Sequence, residues 1–154
     1  MHASVFMAPE PIIKQGRKVF LAGSVEMGAA EEWQTRLTAA LSQLPITILN
    51  PRRLDWDSSW EQRATNEQFS TQVNWELDGM DDADVIALYL ARDAKSPITL
   101  LEFGLYARSG RMVVCCPEEF YRRGNVEIVC ARLGVPLVET FDGFVEAILQ
   151  RLQG

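Results

Sequence analysis

Val85-Ile86-Ala87-Leu88-Tyr89-Leu90 leads to Ser96-Pro97, then to Ile98-Thr99-Leu100-Leu101-Glu102-Phe103-Gly104-Leu105-Tyr106-Ala107, and the segment closes at Gly110. The six-residue run has no polar face, which reads as a strand covered on both sides. Ser96 stands where an N-cap belongs, with Pro97 at the first helical position. The helix then runs from Ile98 to Ser109 and stops at Gly110. A doubly covered strand feeding a helix is the repeating unit of a parallel α/β sheet.

The flanking sequence continues the alternation. Upstream, Lys18-Val19-Phe20-Leu21 is a strand ending at Ala22-Gly23-Ser24. Trp33, Leu37, Leu41 and Leu44 recur at helical spacing, and Ile46-Thr47-Ile48-Leu49 is a second strand closed by Asn50-Pro51. Residues 52–65 form a long polar loop holding Trp56 and Trp60, and loops of that length inside compact domains are often functional. Phe69, Val73, Leu77 and Met80 mark the next helix. Downstream come a strand from Met112 to Cys116, a helix from Asn125 to Leu133, a strand from Pro136 to Val138 and a last helix from Phe141 to Leu152. The expected fold is a single α/β domain over residues 17–154: a doubly wound, mostly parallel five-stranded sheet flanked by helices, preceded by an arm over residues 1–16. Ligands bind such sheets beyond the carboxyl ends of the strands, here the loops after Gly23-Ser24, Leu49, Leu90 and Cys116. The first turn lacks G-x-G-x-x-G, and no Walker A sequence is present.

Composition narrows the chemistry. The 154 residues are 47% apolar and 23% charged, with a net charge of −6. That balance disfavours a nucleic-acid backbone or an anionic membrane as partner and favours a small ligand. Cys115, Cys116 and Cys130 are odd in number and lack zinc-ligand spacing, so they read as buried free thiols of a reducing, cytoplasmic setting. His2 is the only histidine, which excludes a Ser-His-Asp triad and leaves acid–base work to carboxylates, hydroxyls or Lys. No apolar run is long enough to span a bilayer, and residues 1–16 lack the pattern of a secretion signal.

Two carboxylates stand out. Glu102 lies in a helix apolar nearly all round, which is therefore expected to be buried, on a face shared with Ile98, Leu105 and Tyr106. An unpaired buried carboxylate is costly, so Glu102 either pairs with a neighbouring Arg or caps a backbone group, or it serves in a pocket wall, where the helix N-terminus helps to keep it ionised. An ionised carboxylate in a dry site is a competent nucleophile. Glu76, three residues after Val73 and four before Met80, falls on the apolar side of its own helix and is either the edge of the buried stripe or a second working acid. Two carboxylates can divide the cleavage of a glycosidic bond between attack and proton transfer; retaining glycoside hydrolases set them roughly 5–5.5 Å apart.

Four stretches, in order and spacing, resemble the nucleoside 2-deoxyribosyltransferase family: Val19-Phe20-Leu21-Ala22-Gly23-Ser24; Asn74-Trp75-Glu76-Leu77-Asp78-Gly79-Met80 running on to Ala83-Asp84-Val85-Ile86; Leu101-Glu102-Phe103-Gly104-Leu105-Tyr106-Ala107, which is similar to the family's E-x-G-x-A helix; and Gly124-Asn125-Val126. The resemblance covers Lys18 to about Leu133 and implies a Rossmann-like fold and a two-step transfer with retention. In it, Glu102 attacks C1′ of a 2′-deoxynucleoside to form a deoxyribosyl ester, a second base takes the sugar, and Glu76 shuttles the proton. Glu76 stands where the family more often has Asp. The resemblance further implies substrate contacts from Phe20, Gly23, Ser24 and Ser96. Phe20 replaces a family Tyr and Ser96 a family Asp, for which Asp93 is a candidate substitute. Asn125 is implied to hydrogen-bond the sugar 5′-hydroxyl in a neighbouring subunit's site. Asn50-Pro51-Arg52-Arg53-Leu54-Asp55-Trp56-Asp57 resembles a divergent branch of the superfamily. There Trp56 is either a stacking surface for the base or a loop anchor, Asp57 is a candidate for a base edge, and Arg52 and Arg53 are alternatively surface ion-pair partners.

The expected partners are nucleosides, nucleobases and further copies of the chain, as a dimer or an assembly of dimers; no metal or organic cofactor is required. Two other functions stay open: an N-glycosidase acting on nucleosides or their 5′-monophosphates, and a nucleotide-binding sensor that has lost the chemistry.

Overall fold

A computed structural model of the chain describes residues 2–12, 16–23, 32–53 and 57–154. In it a six-stranded, all-parallel sheet has the order β1-β3-β2-β4-β5-β6, with β1 Ser4–Met7, β2 Lys18–Gly23, β3 Thr47–Asn50, β4 Val85–Tyr89, β5 Met112–Cys115 and β6 Leu137–Val138. Five helices complete the described fold: α1 Trp33–Leu41, α2 Glu67–Asp82, α3 Pro97–Tyr106, α4 Arg123–Leu133 and α5 Phe141–Gln153. The expected doubly wound architecture is correct, with one strand more than the five anticipated. The extra strand, β1, lies inside the stretch read as an arm and pairs along the outer edge of β3. Four residues give too little alternation to register as a strand, and Val5 is left 41% exposed at the sheet edge.

Alternation along the strands builds two cores. Phe20, Leu49, Ile86, Leu88 and Val114 point to one face, where Met80 of α2, Phe103 of α3 and Val126 of α4 meet them. Val19, Leu21, Ile48, Ala87 and Val113 point to the other, against Trp33 and Leu37 of α1 and Phe144 and Ile148 of α5. The chain passes from β2 to β3 on one side and then returns to place β4 on the other side of β2. This reversal makes the carboxyl ends of β2 and β4 the topological switch point, the place where such sheets take their ligands. Gly23 and Tyr89 are paired there. A Cβ on Gly23 would meet the Trp33 indole at 2.4 Å and the Tyr89 carbonyl oxygen at 2.6 Å, so packing alone demands glycine.

Helix α3 begins at that end. Ser96 occupies its N-cap position, but with φ 54°, in the left-handed region, and its side chain makes no capping hydrogen bond. The sequence expectation of an ordinary serine cap is corrected on this point. The helix ends as expected: a 3₁₀ turn over Ala107–Ser109 is closed by Gly110 at φ 75°. No helix among the described residues is long and apolar enough to cross a membrane.

Candidate active site

Helices α2 and α3 lie on the same face of the sheet and bring Glu76 and Glu102 together. Glu102 is 7% exposed and Glu76 is half-buried, and their carboxyls hydrogen-bond to each other. Burial, then the Glu76 charge, pushes the Glu102 carboxyl up to about 8. Burial also raises Glu76, opposed by the hydrogen bonds it accepts from Gln72 and Glu102. Two carboxylates in contact in a dry wall cannot both ionise, so the pair holds one proton between them. Their mutual hydrogen bond lowers Glu76 and raises Glu102. The pair therefore offers a carboxylate and a carboxylic acid within reach of one bond.

Two residues that the sequence reading did not single out fix this pair. Gln72, one turn before Glu76, donates from Nε2 to Glu76 Oε2 at 2.9 Å and to the Pro51 carbonyl at 2.7 Å. Tyr106, one turn after Glu102, donates to Asp81 Oδ1 at 2.8 Å and lies 3.2 Å from the Leu77 carbonyl, clamping α3 onto α2. Burial and the neighbouring Asp81 push its phenol up to about 12, so it stays a donor through the physiological range. The i−4 and i+4 spacings from the two glutamates were the available signal for both residues.

The other expected site residues are placed as follows. Phe20 is fully buried, with its ring 6.1 Å from that of Trp75 and the edge of Gly79 against it. Expected as a substrate contact, it packs here in the core against α2. Ser96 is buried at the start of α3. Asp57 is exposed, and its Oδ1 accepts from the Ser59 backbone N at 2.8 Å and from Ser59 Oγ at 2.7 Å; these bonds hold its carboxyl below the usual range. It is the pivot of a surface turn. Asp93 is exposed and pairs with Arg92 at 3.8 Å. Arg52 pairs with Glu32 at 3.1 Å, as the surface alternative anticipated, and the Arg53 guanidinium lies 4.8 Å from the centre of the Trp60 ring. Ser24 and Trp56 lie outside the described residues. The three cysteines are buried, and desolvation raises Cys115 to about 12 and Cys116 and Cys130 to about 11, which leaves them unsuited to nucleophilic work.

Asn125 lies elsewhere on the surface. It is exposed on α4 and borders a shallow groove of about 350 Å³ with Leu100, Phe103, Gly104 and Val129. Beside the groove, α3 exposes Ile98, Leu101 and Leu105 at 60%, 59% and 56%, and α4 exposes Ile128 at 71%. The expectation that α3 is buried all round is corrected: Thr99, Glu102 and Phe103 face inward, while Ile98 and Leu105, expected to share the Glu102 face, point outward.

The family model described as "nucleoside 2-deoxyribosyltransferase like" matches residues 16–120, a span that includes both glutamates and their helices. No curated protein matches the chain.

Proposed function

Because the chain belongs to the nucleoside 2-deoxyribosyltransferase-like family, we propose that it exchanges the base of 2′-deoxynucleosides through a covalent deoxyribosyl ester on Glu102. The observation that carries this reading is the meeting of two carboxyls, Glu76 from α2 and the buried Glu102 from α3, in one wall. In the first step the proton passes from Glu102 to Glu76 along their hydrogen bond. The Glu102 carboxylate then attacks C1′, the C1′–N bond breaks with its electron pair going to the base, and Glu76 delivers the proton to the departing nitrogen. In the second step a nitrogen of the incoming base attacks C1′, the ester opens to return the Glu102 carboxylate, and Glu76 takes the proton that the new base loses. Two inversions at one carbon give net retention. The pair regains its proton and its charge of minus one, so no other acid or base is required.

The outward face of α3 supports the remaining part of the proposal. A second copy of the chain docks on the α3–α4 surface, and Asn125 of each copy reaches the sugar 5′-hydroxyl in the other's site. Gly104 lies within the last turn of α3, ahead of the 3₁₀ turn, yet nothing lies within 4 Å of where its Cβ would be. A helix-interior glycine costs about 1 kcal/mol against alanine and yields nothing in an isolated chain, whereas it lets a second backbone approach closely. Ser24 and Trp56 complete the substrate contacts in this reading, Trp56 by stacking on the base.

Incubation with 2′-deoxyinosine and adenine, with Glu102→Ala as the control, tests the reaction. Deoxyadenosine formed only by the wild type is the expected result. Hypoxanthine released at one rate with or without adenine, with no new nucleoside, would replace transfer by hydrolysis. Undiminished ligand binding by Glu102→Ala beside a wild type that turns over no nucleoside would leave a sensor.

A further inference from the structure

Both hydrogens of the Gln72 amide are committed to acceptors, one to the Pro51 carbonyl and one to Glu76 Oε2. The side chain is 6% exposed, and its own oxygen, Oε1, is buried with no hydrogen-bond partner among the described residues. Turning the amide over would aim Oε1 at two acceptors, so Pro51 and Glu76 together lock its orientation. A buried acceptor with no donor is destabilising, and an apolar side chain of the same length would avoid that loss. The amide is therefore held in place for its nitrogen, which can only donate to Glu76.

We propose that Gln72 is the positioning residue of the carboxyl pair: locked by the Pro51 carbonyl, it holds Glu76 as the ionised member and leaves the shared proton resting on Glu102. This rests on the reading of Glu76 as the acid and Glu102 as the nucleophile. A fixed donor to Glu76 also weakens its grip on a proton. When the proton crosses from Glu102, Glu76 is a stronger acid toward the departing base than burial alone would make it. The pair keeps its charge of minus one throughout, since the proton only changes oxygen. Among the described residues, three groups act on the pair or its members. Glu102 faces Glu76 from α3, Gln72 lies on α2 beside it, and Tyr106 is the other titratable group in electrostatic contact with Glu102. Because Pro51 follows β3 directly, the same amide ties the pair to the loop that leaves the sheet at its ligand-binding edge.

The test pairs a ligand-free titration with kinetics. Protein labelled with ¹³C at the glutamate carboxyls is titrated by NMR as wild type and as Gln72→Met, with Glu76→Gln and Glu102→Gln assigning the two resonances. Methionine keeps the length and removes the donor; Gln72→Leu, which also removes the donor and adds no charge, serves if methionine fails to fold. The expected result is a Glu76 midpoint moved up by about one pH unit, with kcat for base exchange down about tenfold and KM within about twofold of wild type. An unmoved Glu76 midpoint, or a loss of rate carried wholly by KM, would overturn the proposal. If the midpoint moves but the wild type exchanges no base, the transfer reading fails while the hold of Gln72 on the pair stands.

Discussion

Burial of Glu102 opposes its ionisation, and the sign of the effect on stability can be measured. Its carboxyl is raised from 4.5 to about 8 in the folded chain, chiefly by burial. A group raised on folding leaves stability intact below its unfolded value and erodes it as pH climbs toward the folded value. The loss therefore accumulates between about pH 4.5 and pH 8. Glu102→Gln removes the titration while keeping an N–H donor for Glu76. It is expected to raise the unfolding free energy by on the order of 1–3 kcal/mol at pH 8 and by almost nothing at pH 4.5. Thermal unfolding of both proteins across that range is the check; a gain that does not grow with pH would mean that the carboxyl is not desolvated. The same variant is expected to lose base exchange. The wild-type rate should follow a bell in pH, because the pair works only with one proton, and its two limbs belong to the pair rather than to either residue.

Among the elements, α2 carries Glu76 to Glu102, and Gly79 shows how closely it is held. A Cβ there would sit 2.8 and 2.9 Å from Cε2 and Cδ2 of Phe20. That ring is fully buried and packed against the sheet, so the helix has to move instead. Gly79→Ala is expected to cost about 1–2 kcal/mol, overpacking outweighing the gain in helix propensity. It is also expected to lower kcat roughly ten- to a hundred-fold by shifting Glu76 from Glu102; chemical denaturation and steady-state kinetics on the one variant separate the two effects. At this scale the sequence was informative where elements are long and bounded by chemistry. The apolar run Val85–Tyr89, the start of α3 at Pro97 and its stop at Gly110 stand where patterning put them. What escaped was whatever depends on a neighbour. β1 is defined by its pairing with β3, Ser96 has a left-handed backbone in place of an ordinary cap, and a helix as apolar as α3 does not say which face meets the sheet. Both glutamates were visible as charges out of place, whereas Gln72 was not, since a glutamine is ordinary in any helix until its two acceptors are seen.

The whole molecule carries a net charge of −6, which opposes the meeting of two copies, so an interface between them has to be won by apolar area. The exposed side chains of Ile98, Leu101 and Leu105 on the helix that carries Gly104, with the exposed Ile128 of α4, are the surface suited to that. Leu101→Glu with Leu105→Glu is expected to yield monomers by sedimentation without unfolding the chain, because neither side chain is buried in the isolated protomer. A shared site makes a sharper claim than self-association does. If Asn125 serves the partner's sugar, Glu102→Ala and Asn125→Ala are each inactive alone but complement when mixed and allowed to exchange subunits. The mixed dimer has one site with Glu102 from one chain and Asn125 from the other, and one site with neither. Random exchange makes half the dimers mixed, so roughly a quarter of the wild-type exchange rate should return. Recovery near that level places Asn125 across the interface. A mixture that stays inactive while sedimenting as dimers would put Asn125 outside the shared site, and the α3–α4 face would then be an interface that brings two self-sufficient sites together.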